Sequence, residues 1–432
     1  MRIAIVGSGI SGLVAASRLH RGHEITVFEA GSYVGGHTNT VDVDFQGRSY
    51  AIDTGFIVFN DWTYPRFIAL LKELDVEYQS SNMSFSLRDE RSGLEYNGTT
   101  LNTLFAQRKN AFNLSFLRMI ADILRFNKSS RNLLEGDDDD LTLGEFLLMG
   151  RYSRAFREHY IVPMGMSIWS ATESAMMQFP ARFFVEFFDK HGFLNVDKRP
   201  VWQAVKGGSR EYVKKLIQPF RARIRINTPV VGLKRDAGGV TLRTAHGTVE
   251  RFDHVFVACH SDHALRMLED PSDAERAILG AFPYQENMAT LHTDASLLPQ
   301  TPLARGAWNY HLLAVRDNRE RDRVALTYDM NVLQSIEAPL KFLVTLNRKA
   351  DIDPAKILKT FTYHHPVYLP AGVAAQKRRG EISGVNRTFY CGAYWRYGFH
   401  EDGVVSAEWA LEDFTRILEG VQSASKGQAV GV

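Results

Sequence analysis

Cysteine is nearly absent: Cys259 and Cys391 are the only two in 432 residues. That excludes a disulfide framework and a cysteine-built metal site, and it fits a reducing cytoplasm. An excess of one charge is missing as well. Lysine and arginine number 51 against 49 acids, so no bulk field favours nucleic acid and no nucleic-acid partner is expected. No apolar run reaches bilayer length, and the one at the start is broken by glycines. The first strand reads from residue 2, leaving no room for a signal peptide before it. The expectation is a cytoplasmic protein, free or resting on the inner face of a membrane without crossing it. The rest is ordinary globular composition, 45% hydrophobic, and by length about two or three domains.

What the chain does have comes first in it. The apolar run Arg2–Val6 leads into Gly7-Ser8-Gly9-Ile10-Ser11-Gly12, then a helix-like stretch, then the strand Glu24–Phe28, then Glu29-Ala30. Gly7 permits the tight turn, Gly9 lets the backbone approach a pyrophosphate, and Gly12 lets the helix pack on the strand. The amides of Ile10 and Ser11 open the helix, where free N–H groups and the helix dipole favour an anion. Glu29 closes the second strand, where a carboxylate accepts from a ribose 2′-OH and disfavours a 2′-phosphate. A glycine turn serving only helix–strand packing would leave Glu29 unexplained. The pattern predicts an adenine dinucleotide.

Arg66–Leu74 reads as an amphipathic helix, 85–100 as a hairpin, and 104–134 as helical. The acid run Asp137–Asp140 reads as a solvated loop whose aspartates cap a helix starting near Leu143; consecutive acids do not give the spaced ligands of a calcium loop. Residues 142–194 are helical, with Met149, Met164, Met166, Met176 and Met177 followed by Phe183, Phe184, Phe187 and Phe188. Helix core and an apolar substrate pocket are both consistent with them. Further on, a helix opens at Gly207-Gly208-Ser209, strands read at 223–227 and 230–235, a hairpin at 240–252, and a buried strand at 254–258. Residues 280–350 return to strands and loops, 387–391 is a last buried strand, and a helix runs from about Gly403 to Leu418.

The chain also carries Gly35-Gly36-His37-Thr38, Asp53-Thr54-Gly55-Phe56, Thr228-Pro229-Val230, Cys391-Gly392-Ala393 and Gly398 to Val404. With the first motif these resemble the superfamily of flavin-dependent amine oxidases, phytoene desaturases and protoporphyrinogen oxidases. Trp308-Asn309-Tyr310, Thr327 to Asn331, Thr345-Leu346-Asn347 and His365-Pro366 are similar to a bacterial group of NAD/FAD-binding proteins that accompany lipid methyltransferases of the cyclopropane-synthase kind and furan fatty acid pathways. The resemblance implies an α/β fold: a Rossmann-like FAD-binding domain of the glutathione-reductase type, with an interleaved α+β substrate domain. Residues 1–80, 200–265 and 385–420 would form the first, 81–199 and 266–384 the second, and 421–432 a flexible tail. It implies non-covalent FAD, since no counterpart of a flavin-linking cysteine is present. Gly36, His37 and Thr38 would follow the pyrophosphate and ribityl chain, and Thr54, Gly55, Phe56 and Ile57 the ring. Val230 would meet the adenine, Gly392 the pyrophosphate, and Gly403-Val404, at the last helix's N-terminus, the ring's N1–C2=O edge. Departures are His37 for the usual arginine, Ala393 for an acid, and Phe399 for a cage tyrosine. The lysine that often stands near N5 has no clear match, and Lys341 is left out of the expected site.

The function implied is dehydrogenation of an apolar substrate, such as a methylated fatty acyl chain, by hydride transfer to flavin N5. Amine oxidation releasing hydrogen peroxide is a second reading. A non-catalytic flavoprotein partner of a lipid-modifying enzyme is a third. Tyr328 and His292 are the candidate catalytic residues, and Tyr310, Tyr397 and Phe399 the candidate pocket walls; His400 lies in the same segments. Period-two counting puts Tyr328 with Val324, Leu326 and Met330. Glu401 reads as a structural acid. Cys259-His260 with His263 suggests a metal cluster, but the segment also reads as a strand-to-helix turn, and no metal is expected. The basic residues Arg108 to Arg131 beside phenylalanines suggest a lipid-facing surface or an ordinary solvated face. Substrate identity, electron acceptor and oligomeric state are not legible.

Overall fold

The structure, a computed structural model, describes residues 1–136, 138, 140–314 and 323–429. Strand β1 (Arg2–Val6), helix α1 (Ile10–Leu19) and strand β2 (Glu24–Phe28) form the expected unit. They sit in a five-stranded sheet whose order is Ile224–Arg225, β2, β1, His254–Val257, Thr388–Tyr390, every pair parallel. Both faces of such a sheet are covered, so its strands read as unbroken apolar runs. Ile3, Ala4 and Ile5 are fully buried. Their side chains divide between a core shared with α1 and the last helix and a second core under a three-stranded antiparallel sheet. The fold is α/β, as expected.

A seven-stranded mixed sheet faces the other half of the molecule, in the order Ile357–Pro366, Tyr284–His292, Leu343–Leu346, Leu326–Asp329, Trp308–Leu312, Phe85–Asp89, Leu94–Asn97. Helices from 101–190 pack on it around a large aromatic core. Met164, Met166, Met176, Phe183, Phe184 and Phe188 belong to that core, whereas Met149 is exposed.

Some expectations change. The helix Leu143–Met149 is capped by Thr142, which exchanges hydrogen bonds with Glu145. Asp138 instead accepts from the amides of Asp140 and Leu141, so the loop stabilises itself rather than the helix; Asp137 and Asp139 lie outside the described residues. The strand expected over 223–227 shortens to Ile224–Arg225, because Asn227 turns left-handed at φ 51°. The last helix is His400–Ala429. It begins ahead of Gly403 and continues past Leu418 into the expected tail, whose residues 430–432 lie outside the described residues.

A buried ion cluster ties the antiparallel sheet to the parallel one. Arg235 donates to Asp270 at 2.7 Å and to both oxygens of Glu275 at 2.8 and 2.9 Å, and the Tyr390 hydroxyl donates to Glu275 at 2.6 Å. Removing one partner of a buried pair leaves an uncompensated charge. Arg235→Met is expected to cost about 3–5 kcal/mol, read as the loss of unfolding free energy in urea. A change under about 1 kcal/mol, the range of exposed pairs, would show that the cluster is effectively solvated.

Candidate functional site

A single groove of about 800 Å³ runs from the end of β2 to the face of the seven-stranded sheet. Its floor is side-chain-free backbone. Gly7 turns at φ +104°, and a Cβ there would fall 2.6 Å from the Ala258 carbonyl oxygen. A Cβ on Gly12 would collide with the Gly7 carbonyl, which is why the helix can lie against the strand. Gly9 differs: a Cβ there meets nothing within 4 Å. Open space, not packing, keeps this position bare. Gly9 is also the N-cap of α1 with no side chain capping it, so the first helix amides remain available to an anion. The Gly35-Gly36 loop lies directly above. The Gly35 amide donates to the Ser8 carbonyl at 3.0 Å, and a Cβ on Gly36 would approach the Gly9 Cα at 3.1 Å.

At one end Glu29 is held by the Ser8 amide at 2.9 Å, the Ser8 hydroxyl at 2.5 Å and the Gly31 amide at 2.7 Å. Ala30, Pro229 and Val230 complete that end. Histidines from separate segments meet across the groove. His37 stands 5.3 Å from His365 and 6.3 Å from His260, ring to ring, and stacks on Tyr363 at 5.0 Å. His260 stacks on Tyr284 and neighbours His263 and His364. Burial depresses the His37 pKa to about 4, assisted by His364, and that of His365 to about 3. These rings are neutral near pH 7. The Nε2 of His37 is buried without a partner. An open helix N-terminus, a bare Gly9, an unpartnered imidazole nitrogen and, at one end of the same groove, a fixed carboxylate together fit a dinucleotide. Ligand atoms of His260, Asp262 and His263 lie within 4.8 Å of one another, so the histidines set aside as a metal cluster do converge, on the groove's edge.

The other end is aromatic. Trp169, Phe187, Phe193, Trp202, Trp308, Tyr328, Tyr397 and Phe399 line it, with Ser167, Ser170 and His191 as polar points. His191 ends the helix Ala181–Lys190. Its Nδ1 lies 2.9 Å from the Phe187 carbonyl. A carbonyl only accepts, so Nδ1 carries the proton. Burial holds the ring's pKa at about 4, which leaves Nε2 as an unprotonated acceptor.

Of the residues expected at the nucleotide, Gly7, Gly9, Ile10, Ser11, Glu29, Ala30, Gly36, His37, Gly55, Phe56, Ile57, Val230 and Gly392 line the groove. Others stand one layer back. Gly12 serves packing. Thr38 bonds the Tyr212 hydroxyl at 2.5 Å and His400 Nε2 at 2.9 Å. Thr54 donates to the Asn39 carbonyl at 3.0 Å. Gly403 sits in the last helix's first turns with its amide bonded to the Phe399 carbonyl. A Cβ there would lie 2.5 Å from Ile10 Cγ2, so Gly403 lets two helices touch. Val404 is buried in the core beside it.

Tyr397, Phe399 and Tyr328 line the aromatic end, the last against the Trp308 ring at 5.4 Å. Its strand ends at Asp329, so Met330 belongs to the following helix instead. His292 does not reach the groove. It is fully buried, with Nε2 2.7 Å from the Thr345 hydroxyl and Nδ1 accepting from the Asp294 amide at 3.0 Å, so both nitrogens are spent on structure. Tyr310 is a core residue whose hydroxyl meets Met166 Sδ at 3.2 Å. Lys341 pairs with Asp329. His400 stacks on Phe56 at 3.5 Å. Glu401 accepts from the Arg66 and Phe67 amides, capping the helix Pro65–Glu73. Sequence reasoning did not single out His191, Trp169, Trp202 or Phe193; a histidine ahead of Gly192, at φ +72°, was the available signal for the first.

A family model of flavin containing amine oxidoreductases matches residues 10–298. AofH of Mycobacterium tuberculosis, whose name assigns it as a flavin-containing monoamine oxidase, is 25% identical over 288 residues, 62% of this chain and 59% of that protein. The chain thus spans about three fifths of that relative's length. The 4,4'-diapophytoene desaturase (4,4'-diaponeurosporene-forming) of Staphylococcus aureus is 47% identical over 45 residues, 10% of this chain and 9% of that one. Among solved structures, the CLA-producing fatty acid isomerase from P. acnes has a TM-score of 0.67 at 16% identity over 95% of this chain and 98% of that one. Cyclohexylamine oxidase from Brevibacterium oxydans has 0.67 at 17% over 97% and 99%. These two share the fold. FAD is the cofactor the family implies, and the groove's residues fit it.

Gly9→Leu is expected to fold, since its Cβ meets nothing, and to lose flavin, because the side chain fills the groove. A normal melting curve with no visible absorbance is the expected pair of results; a fully yellow variant would place the diphosphate elsewhere. Flavin affinity is expected to rise as pH falls. Burial keeps His37 neutral, with a pKa of about 4. A bound diphosphate raises it, so binding takes up a proton. Calorimetric titration of stripped protein between about pH 8 and 6, in buffers of different ionisation enthalpy, reads that uptake. His37→Gln should abolish most of it.

Proposed function

The chain belongs to the family of flavin containing amine oxidoreductases, and we propose that it is an FAD-dependent oxidoreductase that dehydrogenates an apolar substrate, of the class of a methylated fatty acyl chain. The observation that carries this reading is the polarity of the groove. Among the described residues that line it, the only carboxylate is Glu29 and the only guanidinium Arg266, both at the nucleotide end, and there is no lysine. A permanently charged substrate head would be desolvated against indole and phenyl rings with no partner. A hydrocarbon chain loses nothing there, and its burial is favourable by roughly 25 cal/mol per Å².

The chemistry a bound FAD supplies is acceptance of a hydride. The chain's own residues do the rest. Trp169, Phe187 and Phe399 stack or tilt against one another at 4.7–5.2 Å and exclude water from the reacting carbon. Desaturation also removes a second hydrogen as a proton, and His191 Nε2 is the acceptor for it. Tyr328, whose hydroxyl burial pushes far above the ordinary range, stays protonated and orients the substrate by donating.

Amine oxidation is the second reading. The similarity to AofH favours it, and aromatic walls also admit a neutral amine. Anaerobic mixing of the oxidised protein with methylated acyl phospholipids, unmethylated ones and amines separates the two. Loss of flavin absorbance with acyl chains is expected, and bleaching by amines alone would reject the proposal. His191→Gln is expected to slow bleaching by about 10²-fold or more with flavin content unchanged. An unaltered rate would remove His191 from the chemistry.

A further inference from the structure

The helix Leu114–Ser129 has two apolar faces. Phe116, Met119 and Phe126 point into the core. On the opposite side Leu114, Leu117, Ala121 and Leu124 follow one another at three- and four-residue spacing, all exposed. A second apolar stripe has no role in folding, and it is not isolated. Phe112, 89% exposed, immediately precedes the helix, with Leu114 at 81% and Leu101 at 77%. At the other end Arg125 donates to the Gly150 carbonyl at 2.6 Å. That bond brings up the end of the helix Leu143–Met149, where Leu148 and Met149 are 70% and 73% exposed. The apolar ridge therefore runs the length of a helix of 16 residues, about 24 Å at 1.5 Å per residue.

Along the helix Leu114–Ser129 the exposed charges beside the ridge are of one sign; the acid nearest Leu148 on its own helix, Glu145, accepts from the Thr142 amide and hydroxyl. Arg108, Lys109 and Lys128 are exposed, and among the described residues no acid lies within ion-pair distance of them. Arg108 donates only to the neutral oxygens of Asn102 and Phe105. The acid of the helix, Asp122, is buried and taken up by Arg118, Arg125 and the Ser153 amide. Asp138 and Asp140 precede the start of the helix Leu143–Met149, the end away from Leu148. Protein interfaces are depleted of charge at an apolar centre and of lysine generally. Exposed aromatic and leucine side chains between lysines and arginines match the boundary of a bilayer instead, where rings and alkyl groups enter the acyl edge and cations meet lipid phosphates.

We propose that this face docks the protein on an anionic phospholipid surface, Phe112, Leu114 and Leu117 entering the interface and Arg108, Lys109 and Lys128 contacting the phosphates. The inference stands on the surface alone and holds whatever the groove oxidises. The test is co-sedimentation of the flavin-loaded protein with vesicles of phosphatidylcholine containing phosphatidylglycerol, against vesicles of phosphatidylcholine alone. Binding to the first, weakening with added salt, is expected. Phe112→Ser with Leu114→Ser should lower the partition coefficient by about tenfold or more, and Lys109→Gln with Lys128→Gln should lower it and flatten its salt dependence. Every replaced residue is exposed, so melting temperature and flavin content should stay as in the parent, which separates docking from folding. The proposal fails if the parent stays in solution with anionic vesicles at low salt, or if the variants bind as it does. It also fails if sedimentation velocity shows a dimer of the parent that Phe112→Ser dissociates, since the face would then join two copies of the chain.

Discussion

The structure depends on a crossing of backbones from which side chains are excluded. The turn at Gly7, the start of α1 at Gly9 and Gly12, the loop at Gly35-Gly36 and the end of the strand at Ala258 come within van der Waals contact of one another. A methyl group at Gly7 would strike the Ala258 carbonyl, and one at Gly36 would press on Gly9. The last helix joins the same crossing where Gly403 meets Ile10, and the Gly392 amide donates to Ser406 on that helix at 2.9 Å. Segments remote in sequence are thus held in backbone contact, and the amides of α1 face one open space. The groove is what this crossing leaves unfilled.

Polarity changes along the groove because different elements line its two ends. The nucleotide end is built from the carboxyl ends of parallel strands, where open α/β sheets present helix N-termini. It therefore carries amides and Glu29, with His37 and His260 on its loops, while His365 reaches it from the edge strand of the seven-stranded sheet. The far end is built from the seven-stranded sheet and the helices packed on it, which contribute the rings that a two-layer interior requires. His37, His260 and His365 at the first end are uncharged for want of solvent, and an incoming anion meets groups able to gain a proton. His191 at the second end is neutral for the same reason, but its backbone bond chooses the tautomer. One physical cause, burial, gives the rings opposite tasks according to what each faces.

The glycine positions and Glu29 were legible in the sequence because their chemistry is local: each is explained by residues within one strand–turn–helix unit. The aromatic end was not legible in the same way. Period-two counting puts Tyr328 on a strand with Leu326 but wrongly extends that strand to Met330, and it cannot say which face of a sheet covered on both sides opens on a cavity. Tyr328 does and Tyr310 is sealed against Met166. His292 shows the same limit, since alternation does not reveal that Thr345 and the Asp294 amide absorb both its nitrogens. The histidine group was invisible for a different reason. His37, His260 and His365 come from a loop, a strand end and another sheet, and only the assembled fold makes them neighbours. Met164, Met166 and Met176 belong to the core, as composition allowed, while Met149 is exposed, and the pocket wall is made instead by Ser167 to Ser170, Phe187 and Phe193.

The start of the last helix shows how closely the site is tied to stability. Glu401 caps the helix Pro65–Glu73, and Asp402 accepts from the amides of Tyr397 and Phe399, the two residues that present rings to the groove. Burial lifts the Asp402 pKa to about 6 despite the nearby Arg396. The sign follows from that rise: the folded state favours the protonated acid, so Asp402 contributes most below its unfolded pKa and progressively less as pH climbs towards 6. The ionised form binds the same amides more strongly, and above pH 6 the loop bearing Tyr397 and Phe399 is held by a charge that the fold keeps at some cost in global stability. The hold on the aromatic wall is therefore gained where stability is given up, next to Gly403, the glycine that lets the last helix touch α1 at Ile10.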